Sequence, residues 1–309
     1  MNTQSSNNPD SLASRRKGRA VIPATRQIYW LVRRELWESR SIYMAPLAVA
    51  GLFLVGFAIS TVGLAQKMRE LAFDPSQLRG AIFGPYDMAA ALIMATTLIV
   101  AVFYCLDALH SERRDRSILF WKSLPVSDRL TVLSKASIPL VVLPLTTFAV
   151  TVATQILMLS LSTAVVLASG LSVETLWKQV PLFETSGMLL YHLFAEHALW
   201  YAPIFGWLLL VSAWARRAAF LLATLPLLAI GVVERIAFGT SNFANMLKYW
   251  LAGSAESVAY TVPGQMPMDP GTHLTPERLV SSPGLWIGLA IFTVCIVGAV
   301  RLRRSQGPI

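Results

Sequence analysis

Six runs of mostly apolar residues, each close to the length that crosses a hydrocarbon core, constrain this chain more than any other feature. A spanning helix takes about 20 such residues. The runs fall at 43–65, 89–109, 138–166, 191–214, 218–238 and 285–300. Charge is scarce throughout: 14% of the 309 residues are charged and 55% are hydrophobic. Soluble domains are about a quarter charged, so this chain lacks the polar surface to meet water on every side. The expected fold is an all-α membrane protein with about six transmembrane helices.

Lys and Arg set the orientation. Eight precede the first run, from Arg15 to Arg40, and six lie between the second and third, from Arg113 to Lys135. Arg216 and Arg217 fill the link between the fourth and fifth runs, and Arg301, Arg303 and Arg304 follow the sixth. These nineteen alternate with six on the opposite side: Lys67, Arg69, Arg79, Lys178, Lys248 and Arg278. Both termini are therefore expected in the cytoplasm. The net charge of +9 follows from this topology, and no nucleic-acid partner is expected. Cys105 and Cys295 each sit inside an apolar run and read as packing residues.

Four regions follow. Residues 1–25 read as a disordered basic cytoplasmic tail, and no cleavable signal peptide is expected before the first run. Residues 26–41 read as an amphipathic interfacial helix. Ile28, Leu31, Val32 and Leu36 share one face at helical spacing, and Arg33, Arg34, Glu38 and Arg40 the other. Residues 42–304 form a single six-span domain, and 305–309 a short cytoplasmic tail. Pro139 and Pro144 predict a kink early in the third span. Segment 66–88 reads as a polar loop with turn signals at Asp74-Pro75 and Gly84-Pro85. Segment 239–284 reads as an outer connection, with residues 245–252 either a short outer helix or an interfacial loop.

The most distinctive residue order lies at 107–139, on the expected cytoplasmic side. A charged stretch ending at Arg116 precedes a compact apolar cluster of Ile118, Leu119, Phe120, Trp121 and Leu124. Pro125 breaks the chain, Ser127 is placed to cap a new helix, and that helix carries Lys135 into the third span. A short apolar helix between charged flanks either lies on lipid headgroups or inserts into a groove of another protein.

This segment resembles the signature of ABC-2 type transporter permeases. The positions that carry the resemblance are Glu112, Leu119, Leu124, Pro125, Val126, Ser127 and Lys135, together with six spans, both ends inside and a preceding amphipathic helix. Arg116-Ser117 stands where many members have Gly-Thr. The resemblance implies a non-enzymatic permease subunit in a bacterial cytoplasmic (inner) membrane, working in export. Its partners would be a P-loop ATP-binding subunit, a second permease copy or homologue, and membrane lipids. Glu112, Ser117, Leu119, Phe120, Trp121, Leu124, Pro125 and Lys135 would form the partner-coupling segment. No cofactor is implied in this chain; ATP and Mg would be bound by the partner. Consistent with that division, no Gly-Lys dipeptide occurs in the sequence, which excludes a phosphate-binding P-loop within it.

Ionisable residues inside spans are functional candidates because lipid penalises them. Asp107 is expected to pair with a nearby cation at the cytoplasmic interface. His192, Glu196 and His197 suggest an intramembrane hydrolase, and Glu196, Glu234 and Arg235 an ion- or proton-coupled transporter. His192 and His197 are five residues apart, about 140° around an α-helix, which argues against joint metal ligation. Glu234 and Arg235 lie late in the fifth span at the same depth as Glu196. Two arrangements are open: Glu196 or His192 paired with Arg235 across the hairpin, or each snorkelling alone. No internal repeat is evident, which disfavours inverted-repeat secondary transporters. The apolar spans favour an amphipathic or hydrophobic substrate.

Overall fold

The computed structural model describes residues 23–71, 74–123, 126–252 and 276–305. The tail expected over 1–25 lies almost wholly outside the described residues. So do Leu124, Pro125, residues 253–275 of the outer segment and the last four residues.

Every regular element among the described residues is helical. In chain order these are α1 (Ala24–Glu38), α2 (Ser41–Ser60), α3 (Leu64–Glu70), α4 (Pro75–Asp107), α5 (His110–Arg114) and α6 (Ser117–Ser123). Then come α7 (Asp128–Ser137), α8 (Leu143–Ala168), α9 (Val173–Gln179), α10 (Leu182–His192) and α11 (Ala202–Trp214). The last four are α12 (Ala219–Phe238), α13 (Asn242–Ala252), α14 (Pro276–Ser281) and α15 (Pro283–Ser305). Five bodies are long and apolar enough to cross a membrane: Ser41–Gly63, Gln77–Arg114, Asp128–Ala168, Ala219–Phe238 and Pro283–Ser305. A sixth crossing is available if the bent pair Val173–Trp200 and Ala202–Trp214 counts as one span.

α12 makes the need for lipid plain. Of its 20 residues only Ala223 is buried, while Leu225, Leu228, Val232, Val233 and Ile236 are exposed. Its length is about 30 Å, the thickness of a bilayer core. Water would penalise that much bare hydrocarbon, so the helix requires a lipid or protein sheath.

The amphipathic helix expected over 26–41 is α1, which packs on α7. Its Tyr29, Trp30 and Trp37 are exposed, with the Arg33 guanidinium 5.2 and 5.4 Å from the two indole rings. Aromatic rings beside cations suit a membrane interface.

Among its described residues, segment 66–88 is helical over 66–70 and 75–88 rather than a loop. Asp74-Pro75 is a helix start: the Asp74 carboxylate accepts from the Gln77 amide at 3.2 Å, and proline opens α4. Proline fits the first turn because no carbonyl waits for its missing N–H. Pro85 then sits within α4. The hydrogen bond it forfeits is offset by apolar burial, since Ile82, Tyr86 and Ala89 enter one cluster with Phe57 and Met158.

Two further departures also come from proline. Where a kink was expected near Pro139 and Pro144, the backbone makes a π-helical turn over Ile138–Val142 that joins α7 to α8. The extra residue per turn absorbs the missing amides. The fourth span, expected as one helix over 191–214, is broken. α10 runs into a π-helical stretch, Leu193–Trp200, and α11 leaves it at 47°. Pro203, in the first turn of α11, cannot donate back across the junction.

α11 packs along α15, and α2, α4 and α8 pack on one another. Glycines set the α11–α15 approach: a Cβ on Gly206 would meet Phe292 Cδ2 at 2.9 Å, and one on Gly298 would meet Leu210 Cδ1 at 3.0 Å.

Candidate functional site

Helix α4 ends at Asp107, and the chain turns sharply into α5. The amides freed by this break need acceptors. Ser212 on α11 supplies one oxygen to both Leu109 N and His110 N, each at 3.0 Å. In return Arg113 donates to the carbonyls of Ala213 at 2.7 Å and Ala215 at 3.3 Å, at the end of α11. The short helix α5 is thereby fixed to the end of the fourth span.

That fixture aims Glu112 into a buried ionic cluster. Its carboxylate faces Lys135 Nζ of α7 at 3.2 Å and bonds Arg303 of α15. Lys135 also reaches Glu35 of α1 at 2.8 Å. Tyr104 of α4 donates to the other Glu35 oxygen at 2.9 Å, and Arg303 Nε reaches Asp128 Oδ1 at 3.1 Å. Glu35, Glu112, Lys135 and Arg303 are each less than a twentieth exposed. Three carboxylates thus meet two cations and a phenol, contributed by five helices. Charge-assisted bonds in such a place are strong individually. Their desolvation is also costly, so the cluster stays stable only while every member is paired.

The cluster lies beside α6, the short apolar helix of the 107–139 segment. Ser117 opens α6, with its hydroxyl 3.4 Å from the Glu112 carbonyl. Ile118 is buried beneath α6, whereas Leu119 and Phe120 are 57% and 59% exposed. Trp121 lies in the same helix; Leu124 and Pro125 fall outside the described residues. Ser127 caps α7 as expected, accepting from Leu130 N at 3.3 Å.

Arg116 stands at φ +57°, the left-handed region where glycine is at ease and an L side chain is strained. Arginine here keeps a glycine-type backbone. Arg116→Gly is therefore expected to stabilise the fold by up to ~1 kcal/mol, and Arg116→Val to destabilise it. Denaturant titration in detergent checks both; a glycine variant clearly less stable than the parent would contradict a strained backbone.

No family model, curated protein or solved structure matches this chain.

The intramembrane candidates divide. The π-helical turn overturns the α-helical spacing of His192 and His197. With more than four residues per turn, residues five apart come onto one side, and the two rings lie 5.5 Å apart. Glu196 faces His192 Nδ1 at 3.4 Å. Even so, no group of three His, Cys, Asp or Glu among the described residues is placed to hold a metal ion.

The pairing of Glu196 or His192 with Arg235 is not made; Arg235 is exposed and has no ion pair among the described residues. Glu234 instead ties α12 to α13. It accepts from the Thr240 hydroxyl at 2.7 Å and from the amides of Asn242 and Phe243 at 2.8 Å each. A carboxylate suits those amides, which open a helix. Asp107 is exposed and makes no close ion pair among the described residues, though its charge acts on the Arg114 guanidinium. Arg114 itself bonds Asp115 at 3.1 Å.

Of the cluster, Glu112 and Lys135 were legible as parts of the signature. Glu35, Tyr104, Asp128 and Arg303 were not. The available signal for Glu35 was an acid four residues after Leu31 on the apolar stripe of α1. Arg303 counted only toward topology.

Proposed function

We propose that this chain is the permease subunit of an ATP-driven exporter of the ABC-2 type, forming half of a transmembrane pathway and receiving motion from a separate ATPase. The observation that carries this reading is the geometry of 111–123. The short helix α6, with exposed Leu119 and Phe120, follows Glu112, which bonds α7 and α15 and through Lys135 reaches α1. A push on that helix would reach several spans together because the ionic cluster links them with little slack. The glycine-type backbone at Arg116 also supports the resemblance.

In this reading both termini and the cluster face the cytoplasm of a bacterial inner membrane, following the distribution of Lys and Arg. ATP and Mg bind the partner, and a second permease copy or homologue completes the pathway. The chain's residues perform no bond chemistry. They alternate access to an amphipathic or hydrophobic substrate as the partner ATPases close.

A second reading rests on one observation. The broken fourth span gathers His192, Glu196 and His197 on a π-helical turn, and π turns recur at functional sites. An ion- or proton-coupled transporter would use them.

One experiment separates the two. The chain is tagged, expressed in its native membrane and purified, and a P-loop ATPase is expected to co-purify with it. Leu119→Asp, at an exposed position that tolerates charge, is expected to reduce the co-purified ATPase about tenfold, as loss of an apolar anchor does, with the chain still folded. Transport that survives without any ATPase but stops when the proton gradient is collapsed would defeat the exporter reading and favour the coupled one.

A further inference from the structure

Two irregular helices meet where the fourth span breaks. The π-helical turn Ile138–Val142 packs against the π-helical stretch Leu193–Trp200. At their contact lies a cavity of about 10 Å³, the least space that one water needs. Thr97 of α4, Pro139, Pro144 and Thr147 of the third span, His197 of the π-helical stretch and Phe205 of α11 line it.

One polar atom in this lining has no partner. His197 Nδ1 is closed to solvent and has no hydrogen-bond partner among the described residues. The ring meets aromatic neighbours, with centroids 5.5 Å from His192 and 5.9 Å from Tyr201. The two threonines have capacity to spare. Thr97 spends its hydroxyl proton on Ile93 O at 2.9 Å. Thr147 has one proton for Leu143 O at 2.8 Å and Thr97 Oγ1 at 2.9 Å. Both hydroxyl oxygens keep lone pairs that can accept.

The backbone adds a further acceptor. Leu143 N closes onto Ile138 O, five residues back. Pro144 has no N–H. Pro139 O therefore loses both donors that an α or a π turn would offer, the amides of residues 143 and 144. Pro139 is buried, and a buried carbonyl without a donor is costly.

We infer that this cavity is a binding site for one internal water, which joins His197 Nδ1 to oxygens of the Thr97–Thr147 pair and of Pro139. With Nδ1 protonated, the ring donates to the water, and the water donates to two of those oxygens. That makes about three hydrogen bonds, the usual number for a buried water. The site gives the two π turns a shared polar contact at the level where both spans lose regular backbone bonding. A contact through water can re-form as the helices shift, so the paired turns work as a hinge that stays hydrogen-bonded. The inference concerns the packing of the spans alone and stands or falls apart from both transport readings.

Radiolytic labelling of the full chain in detergent tests it. A short X-ray pulse splits water in place, and the hydroxyl radical oxidises side chains that touch it. Phe205, 2% exposed, is the reporter, and the exposed Trp37 follows bulk solvent. Phe205 is expected to be oxidised. After mixing with isotopically labelled water, its added oxygen is expected to turn over more slowly than that on Trp37. Thr147→Val puts a methyl in place of the hydroxyl and is expected to abolish the Phe205 oxidation. Thr97→Val serves the same purpose should that variant not fold. Thr151→Val is the control. Its hydroxyl is buried without a partner among the described residues and does not line the cavity, so the oxidation should persist.

An unoxidised Phe205 in the folded parent would overturn the proposal. So would turnover at Phe205 as fast as at Trp37, which would make the cavity an inlet of bulk solvent. Undiminished oxidation of Phe205 in a folded Thr147→Val chain would overturn it as well.

Discussion

Replacing Lys135 with Met is expected to destabilise the folded chain by about 3–5 kcal/mol, the range found when one partner of a buried ion pair is removed. Lys135 is 3% exposed and stands between two carboxylates, Glu35 at 2.8 Å and Glu112 at 3.2 Å. Without it, Glu112 keeps Arg303. Glu35 keeps only the Tyr104 hydroxyl among the described residues, and a phenol does not neutralise a carboxylate. Met has nearly the volume of the lysine stem, so lost packing contributes little. Adding Glu35→Gln should then recover roughly half of the loss, because the stranded charge is gone. The double-mutant cycle is read by chemical denaturation in detergent, followed by circular dichroism. A Lys135→Met loss below about 1 kcal/mol, the scale of exposed pairs, would mean that water reaches the cluster and that it does not link the helices rigidly.

The second large effect falls on the α11–α15 contact. Gly206→Leu is expected to cost about 1–3 kcal/mol by overpacking. A Cβ there would lie 3.2 Å from the Phe292 Cα and 3.3 Å from the Cys295 Cβ, as well as 2.9 Å from the Phe292 ring. Backbone is among the atoms met, so α15 as a whole must move, and a rotamer change alone gives no relief. Arg303 rides on the same helix, so its bonds to Glu112 and Asp128 should loosen with it. Gly56 on α2 is the control. Nothing lies within 4 Å of a Cβ placed there, and Ala at that position should be neutral or slightly stabilising through helix propensity. Thermal unfolding of the two variants side by side checks the contrast. Equal shifts would show that general glycine replacement, and not the close approach, sets the cost.

Both expectations concern contacts between helices far apart in sequence, and this is where sequence reading stopped. Hydrophobic run length is a local property, so α2, α12 and α15 appear within a few residues of the apolar runs that predict them. The amphipathic stripe of α1 and the Ser127 cap of α7 are local as well. Proline misled because its meaning depends on position. Asp74-Pro75 looks like a turn and is the first turn of α4, Pro85 looks like a breaker and lies within the same helix, and Pro203 opens the segment that bends the fourth span. The histidine spacing misled for a related reason. The angle between residues five apart depends on whether the turn is α or π, and periodicity averaged over a run does not reveal one wide turn.

The segment 107–139 shows where the division lies. The sequence by itself determined that the chain is helical, that several helices have the length and apolarity of membrane spans, and that one short apolar helix sits between charged flanks. Those properties follow from residue type, local order and the cost of exposing hydrocarbon to water or backbone to lipid. Only the tertiary structure decided which charges are buried together. Glu35, Glu112, Asp128, Lys135 and Arg303 span 269 positions of the chain. They meet because α1, α5, α7 and α15 converge at one end of the bundle. Pairing across such separations is set by helix packing, in which glycines such as Gly206 fix how closely two helices approach, and no local pattern encodes it.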